Sequence, residues 1–192
     1  MKSFADFYNA PPDLALVPGS FKPPHKGHYE MVKQYAGIAD DVIVLISAPS
    51  AKSERKTKTG KIITPEVAQE IFSLYVSNLR NVTIEISTMP SPVGAVYDAL
   101  ENLGGKRIIL GASKKDNDWK RWAGASDYVK KKGYNIDIVD PEGSAVDIVT
   151  TMTGRPYSAS NIRDNFDNPA AIAEDLPDHV DPKKVNDILS LL

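Results

Sequence analysis

Val42-Ile43-Val44-Leu45-Ile46 is five apolar residues in a row, four of them branched at Cβ. A strand with one wet face alternates apolar and polar side chains, and this run does not. It fits a strand covered on both faces, as in a parallel sheet with helices above and below. Other runs fit the same reading. Leu14 to Val17, Val82 to Ile86, Arg107 to Leu110 and Ile136 to Val139 read as strands one, three, four and five. Ala145 to Thr150 reads as a sixth strand or an extended loop.

Helical patterns lie between the strands. His28 to Ala39 places Met31, Tyr35, Ile38 and Ala39 near one face. Thr64-Pro65-Glu66 is a helix start, with Thr as N-cap, Pro at the first position and Glu in the first turn, and the helix runs to about Leu79. Ser91-Pro92 opens another through Leu103, stopped by Gly104-Gly105. Lys114 to Trp119 is a polar loop, followed by a helix to Lys132 that Gly133 closes. Phe4, Phe7 and Tyr8 suggest a short helix in the lead-in, ended by Pro11-Pro12. Alternating strands and helices predict a doubly wound α/β sheet of about five strands with helices on both faces. Ligands in such sheets sit beyond the C-terminal strand ends, where the strand order reverses. The loops near Gly19 and Gly111 are the expected crevice.

At 192 residues one domain is expected, 1–167 with its core at 14–164, and a short helical tail at 168–192 divided by Pro177. A net charge of −2 argues against nucleic acid as a partner. With no cysteine there is no disulfide or thiolate chemistry. The apolar runs are too short to span a membrane. No N-terminal segment has a signal peptide's apolar core, so the cytoplasm is the expected compartment.

The loop after strand one, Pro18 to His28, holds two of the three histidines, three prolines, two glycines and two lysines. Gly19 lets backbone approach a ligand. His25 and His28 lie within one turn, and Lys22 and Lys26 add positive charge. The N–H groups near Gly27 and the helix start favour an anion. A plain turn and a metal site are the competing readings. The zinc helix motif places its histidines four apart with a Glu between, whereas here the spacing is three with Lys26 and Gly27 between. Gly60-Lys61 does not make a P-loop, because Ile62 stands where Ser or Thr is required. Near the C-terminus, Tyr157-Ser158-Ala159-Ser160-Asn161-Ile162-Arg163 reads as a loop capping a short helix. Two hydroxyls and a guanidinium there make either a second phosphate cradle or an ordinary cap with a surface arginine.

Gly19-Ser20-Phe21-Lys22-Pro23-Pro24-His25-Lys26-Gly27-His28 resembles the G-x-F-x-P-x-H-x-G-H signature of the nucleotidylyltransferase superfamily. The segment from Tyr157 to Arg163 resembles its second signature, I-S-S-T-x-I-R, with Tyr157, Ala159 and Ser160 as departures. The resemblance implies a Rossmann-like fold and transfer of a nucleoside monophosphate from ATP or CTP to a small phosphorylated acceptor, with pyrophosphate leaving. It implies that His25 and His28 contact the triphosphate and stabilise charge at the reacting phosphorus. Ser158, Ser160 and Arg163 then hold the β- and γ-phosphates, while Ser20 and Phe21 supply backbone contacts. Lys52, with Lys56 as rival, is the lysine expected after strand two. Gly111, Asp116 and Trp119 fall where relatives hold nucleoside or acceptor, Trp119 either stacking on a base or packing. Mg²⁺ is implied as an ion bridging phosphate oxygens, and a homo-oligomer as the assembly. The alternative is a nucleotide-binding module of the same fold without turnover.

Overall fold

A computed structural model describes residues 13–52, 54–147 and 149–192. The expected lead-in helix lies outside them. Five strands form one sheet: β1 (Leu14–Gly19), β2 (Asp41–Ile46), β3 (Val82–Ile86), β4 (Lys106–Leu110) and β5 (Ile136–Ile138). Their order is β3-β2-β1-β4-β5, and every pairing is parallel. The chain builds outward from β1 to β3, then crosses back to place β4 on the other edge of β1. The reversal therefore falls between β1 and β4, as the sequence pattern predicts for a ligand crevice.

Each central strand feeds two apolar layers. Ala15 and Val17 of β1 join Val42, Val44 and Ile46 of β2 in one buried cluster, while Leu14 and Leu16 join Leu45, Ile108 and Leu110 in the other. Alternate side chains point to opposite faces of a strand, so an unbroken apolar run serves both layers. The first layer is covered by α1 (Lys26–Ala36) and α2 (Pro65–Val76), through Tyr29, Val32 and Tyr35 and through Ala68, Ile71, Phe72 and Tyr75. The second is covered by α3 (Pro92–Leu100), Trp122 and α4 (Ala125–Lys132). Helices α5 (Ala159–Asn165), α6 (Pro169–Ile172) and α7 (Pro182–Ser190) return to the first face. Ile172, Leu176, Val180, Val185 and Leu189 join the same buried cluster as α1 and α2, so the tail is part of that core.

Caps explain several boundaries. Thr64, Ser91 and Ser158 each accept a hydrogen bond from the backbone N–H three residues on. Gly133 ends α4 in the left-handed conformation at φ 72°. Some expectations change. Helix α1 starts at Lys26 rather than His28, because His25 is its extended N-cap. Its buried face is Tyr29, Val32 and Tyr35, and Ile38 lies past its end, 46% exposed. Helix α2 ends at Val76 and α3 at Leu100, each a few residues early. The polar loop after β4 contains a kinked 3-10 segment, Lys115–Trp122, with Asp116 and Asn117 at positive φ. Around Val146 there is only an isolated bridge to Ser113, so among the described residues this stretch is an extended loop.

Gly111 follows β4 where the two strands are closest. A Cβ there would lie 2.8 Å from the Leu16 carbonyl oxygen and 3.1 Å from Val17 Cα. Both are sheet backbone and cannot move aside. Gly111→Ala is expected to cost about 2 kcal/mol or more in urea unfolding. Gly104→Ala, where a Cβ meets nothing within 4 Å, should stay within about 0.5 kcal/mol of the parent.

Candidate active site

From Gly19 the chain turns through Ser20 and Phe21. Phe21 takes a left-handed backbone conformation at φ 49°, and its ring folds back over Gly19. A Cβ on Gly19 would lie 2.5 Å from that ring. Glycine is thus required at 19 by a neighbouring side chain, whereas the sequence suggested the approach of a ligand. The Phe21 ring is buried, meets His28 edge-on at 4.9 Å and lies 5.0 Å from Phe72. It forms the floor beneath the histidines.

The backbone N–H of His25 donates to Nδ1 of His28 at 3.2 Å. An Nδ1 that accepts leaves the ring proton on Nε2, so His28 offers an Nε2–H donor. The two imidazoles stack with centroids 3.7 Å apart. Burial pushes the His25 ring down to about 4, partly opposed by the charge of Asp175. Burial and then His25 hold His28 well below the usual histidine range. Both rings are neutral at pH 7 and act as hydrogen-bonding groups rather than fixed charges.

These residues line one wall of a cleft of about 340 Å³. Gly19, Ser20, Phe21, His25, Gly27 and His28 come from the first loop. Ser113, Lys115, Asp118 and Arg121 come from the segment after β4, and Pro156 and Tyr157 from the approach to α5. Tyr35 ties the walls together: its hydroxyl donates to the Ala112 carbonyl at 2.8 Å and accepts from the Ala112 N–H at 2.9 Å. Arg121 is held by Asp118 at 3.2 Å and donates to the Gly111 carbonyl at 2.8 Å.

A second, basic cleft of about 570 Å³ lies beside the first. Lys22, Lys52, Arg55 and Arg163 line it with Ser50, and Ser20 belongs to both clefts. Lys22 is buried, and burial followed by the nearby Arg55 lowers the pKa of its ammonium. Lys52 reaches this cleft, whereas Lys56 pairs with Glu54 at 3.3 Å. The N-cap Ser158 accepts from Asn161 N–H at 3.0 Å. Arg163 donates to Ser160 Oγ at 2.7 Å and to the Lys22 carbonyl at 3.0 Å. That second bond joins the C-terminal segment to the first loop across 141 residues. The loop between β2 and α2 folds onto α5 as well, through Lys58 N–H to the Arg163 carbonyl at 3.2 Å.

Five sequence candidates are not among the cleft-lining residues: Ser158 and Ser160, whose neighbours Ala159 and Arg163 do line the basic cleft, and Gly111, Asp116 and Trp119. Gly111 is a packing position. Asp116 is exposed in its left-handed turn. Trp119 is partly buried against the second apolar layer, with the Lys120 ammonium over its ring at 5.6 Å. Asp116 and Trp119 leave the lining to Lys115, Asp118 and Arg121 because the kink at Asp116 and Asn117 breaks regular helical spacing. Arg121 and Arg55 carry no sequence motif, and Tyr157 stood only as a departure from the second signature; the turn geometry is what brings all three to the cleft walls. Among the described residues no group of three or more His, Cys, Asp or Glu side chains could hold a metal ion, and no helix is long and apolar enough to cross a membrane.

A family model described as cytidylyltransferase-like matches residues 16–165. The phosphopantetheine adenylyltransferase of Renibacterium salmoninarum is 32% identical over 107 residues, 55% of this chain and 60% of that protein. The one from Helicobacter hepaticus is 25% identical over 177 residues, 92% of each chain. In the first three relatives the aligned part is 60%, 58% and 55% of their own length, less than two thirds of each. Among solved structures, a bifunctional NMN adenylyltransferase/ADP ribose pyrophosphatase from Francisella tularensis superposes with a TM-score of 0.52 at 15% identity, covering 94% of this chain and 49% of that one. A second structure of that protein, complexed with AMP and a Mn ion, gives a TM-score of 0.51 at 19% identity, with the same coverage. These two likenesses show a shared fold.

The histidine environment has a testable pH signature. A depressed folded-state pKa means the unfolded chain binds protons first. Stability is therefore intact above about pH 6.5 and falls as pH drops toward 4, with His25 contributing on the order of 3 kcal/mol. In an NMR titration the His25 ring is expected to change state near pH 4. A midpoint near 6.5 would mean a solvated ring and would sink this account of the cleft.

Proposed function

Because the chain belongs to the cytidylyltransferase-like family, we propose that it is an adenylyltransferase that moves AMP from ATP to a small phosphorylated acceptor and releases pyrophosphate. The observation that carries the reading is the bond from Arg163 to the Lys22 carbonyl. It sets the second signature beside the loop that bears His25 and His28, so that one anion can touch both. The names of the relatives, among them one aligned over 92% of its length, make 4′-phosphopantetheine the first acceptor to test.

In this reading the nucleoside and α-phosphate occupy the first cleft, the β- and γ-phosphates extend past Ser20 into the basic one, and the acceptor phosphate approaches the α-phosphorus from the side opposite the leaving oxygen. An acceptor phosphate oxygen attacks the α-phosphorus. The bond from that phosphorus to the bridging oxygen of the β-phosphate breaks, and pyrophosphate leaves. The acceptor is already an anion, so no general base is required. The protein's work is to hold two anions in line and to stabilise charge as it builds. His28 donates through Nε2 toward the α-phosphate, with His25 stacked on it. An arriving phosphate opposes the burial penalty on both rings and raises their affinity for protons. Ser158, Ser160 and Arg163 take the β- and γ-phosphates, with Lys52 and Arg55 adding positive charge in the same cleft. Gly19, Ser20, Phe21, Lys22 and Gly27 shape the loop around the nucleotide.

A divalent cation such as Mg²⁺ would enter with the nucleotide, on its phosphate oxygens, and would supply charge neutralisation at the leaving pyrophosphate. The transferase domain in this reading is the expected 1–167 together with the tail 168–192, whose apolar residues complete the first buried layer. The cytoplasm, which holds ATP and such acceptors, is the expected place of action.

Pyrophosphate release from ATP or CTP, with 4′-phosphopantetheine and Mg²⁺, tests the proposal. Turnover is expected with ATP. Binding of ATP without turnover on any of a panel of phosphorylated acceptors would favour a non-catalytic module. His28→Ala is expected to lower turnover ~10²-fold or more with the fold retained, as for loss of one transition-state donor. Arg163→Ala should mainly raise the apparent KM for ATP, and an unchanged KM would undo its assignment to the leaving phosphates.

A further inference from the structure

Asp175 is a carboxylate at 0% exposure. It ends a short 3-10 turn, Ala173–Asp175, in the tail and beyond the residues that the family model matches. Oδ1 accepts from the backbone N–H of Ser158 at 2.7 Å. Oδ2 accepts from Asn161 Nδ2 at 2.8 Å and from Arg155 Nη2 at 3.2 Å. Asn161 in turn donates from the same amide to the Ala171 carbonyl at 3.0 Å. A buried charge persists only where such donors satisfy it, and removing it leaves them orphaned.

These contacts bear on the site because α5 is only seven residues long. A helix that short has little stability of its own, so tertiary ties must place it. At one end Arg163 is bonded to the first loop. At the other, the tie is Asp175. From the same stretch of tail, Asp178 pairs with Lys26 at the start of α1, and His179 Nε2 lies 2.8 Å from the Tyr75 carbonyl oxygen. This stretch of tail, Asp175 to Asp178, therefore touches both signature segments.

We infer that Asp175 is a positioning residue: through Ser158 and Asn161 it sets the start of α5, and with it the reach of Ser160 and Arg163 to the outer phosphates of the nucleotide. The inference rests on the role given to α5 under the proposed function. A displacement of about 1 Å in a positioning element can cost ~10²-fold in reactivity. Asp175→Asn preserves size but turns an NH₂ toward donors, so at least one contact is lost. The charge of Asp175 also opposes the desolvation of His25, which gives the tail a second, electrostatic link to the first loop.

Calorimetric titration of ATP and of AMP, each with Mg²⁺, separates positioning from general structure. Wild-type protein is expected to bind ATP more tightly than AMP. In Asp175→Asn the ATP affinity should fall roughly tenfold or more, while AMP affinity stays within about twofold. A variant that weakens both ligands equally, or a folded variant that keeps the wild-type preference, overturns the role of Asp175. Wild-type protein that does not prefer ATP refutes the assignment of α5 to the outer phosphates, and the inference falls with it. If circular dichroism shows Asp175→Asn unfolded, Asn161→Ala serves instead. It should lower ATP affinity about threefold or more at unchanged AMP affinity, and an unchanged ATP affinity would overturn the inference equally.

Discussion

Strand β1 is paired on both edges, by β2 over its whole length and by β4 over Leu14 to Leu16. Its side chains are buried on both faces from Leu14 to Val17. That enclosure fixes where the chain leaves the sheet, and the site depends on it. At the C-terminal end of β1 the neighbouring strand β4 has already ended its pairing, so the backbone leaving Gly19 opens into the gap between the loops. The first cleft is that gap. Gly111 lets β4 approach β1 closely enough for the gap to be narrow, and Tyr35 spans it, fixing the loop after β4 to α1.

The second dependence is electrostatic. The first loop carries two imidazoles in contact, and burial removes their charge. The positive charge of the site stands instead on Lys22, Lys52, Arg55 and Arg163 in the adjacent cleft. Neutral donors in one cleft and cations in the next suit the proposed reaction, in which charge builds at one phosphorus and departs with another group. Arg163 belongs to both arrangements, since its guanidinium lines the basic cleft and holds the first loop by the Lys22 carbonyl.

The tail completes this frame. Its apolar residues cover α1 and α2, and its one fully buried carboxylate holds the start of α5. Helices α5 and α6 are too short to be stable alone, so their geometry comes from contacts with elements distant in the chain. This is why a segment with weak helical signals can matter to the placement of residues in a strongly patterned motif.

Strand number, helix order and the two signature segments were legible in the residues. Period and run length report burial on one or two faces, and caps such as Thr64, Ser91 and Gly133 act over three or four positions. The boundaries of α1 shifted because His28 bonds back to His25, a side-chain contact with no signal in periodicity. Asp116 and Trp119 were read as lining residues, yet two consecutive left-handed residues turn the segment and bring Arg121 forward. Lys52 ranks above Lys56 in the sequence, and the structure adds that Lys52 lines the basic cleft while Lys56 pairs with Glu54. Local chemistry, which acts between near neighbours in the chain, determined the sheet, its helices and the loop of histidines. Tertiary structure decided the depressed basicity of those histidines, the seat of Arg163 on Lys22 and the role open to Asp175, because the first depends on water being excluded, the second on a contact across 141 residues of chain, and the third on a carboxylate buried against donors 14 to 20 residues away.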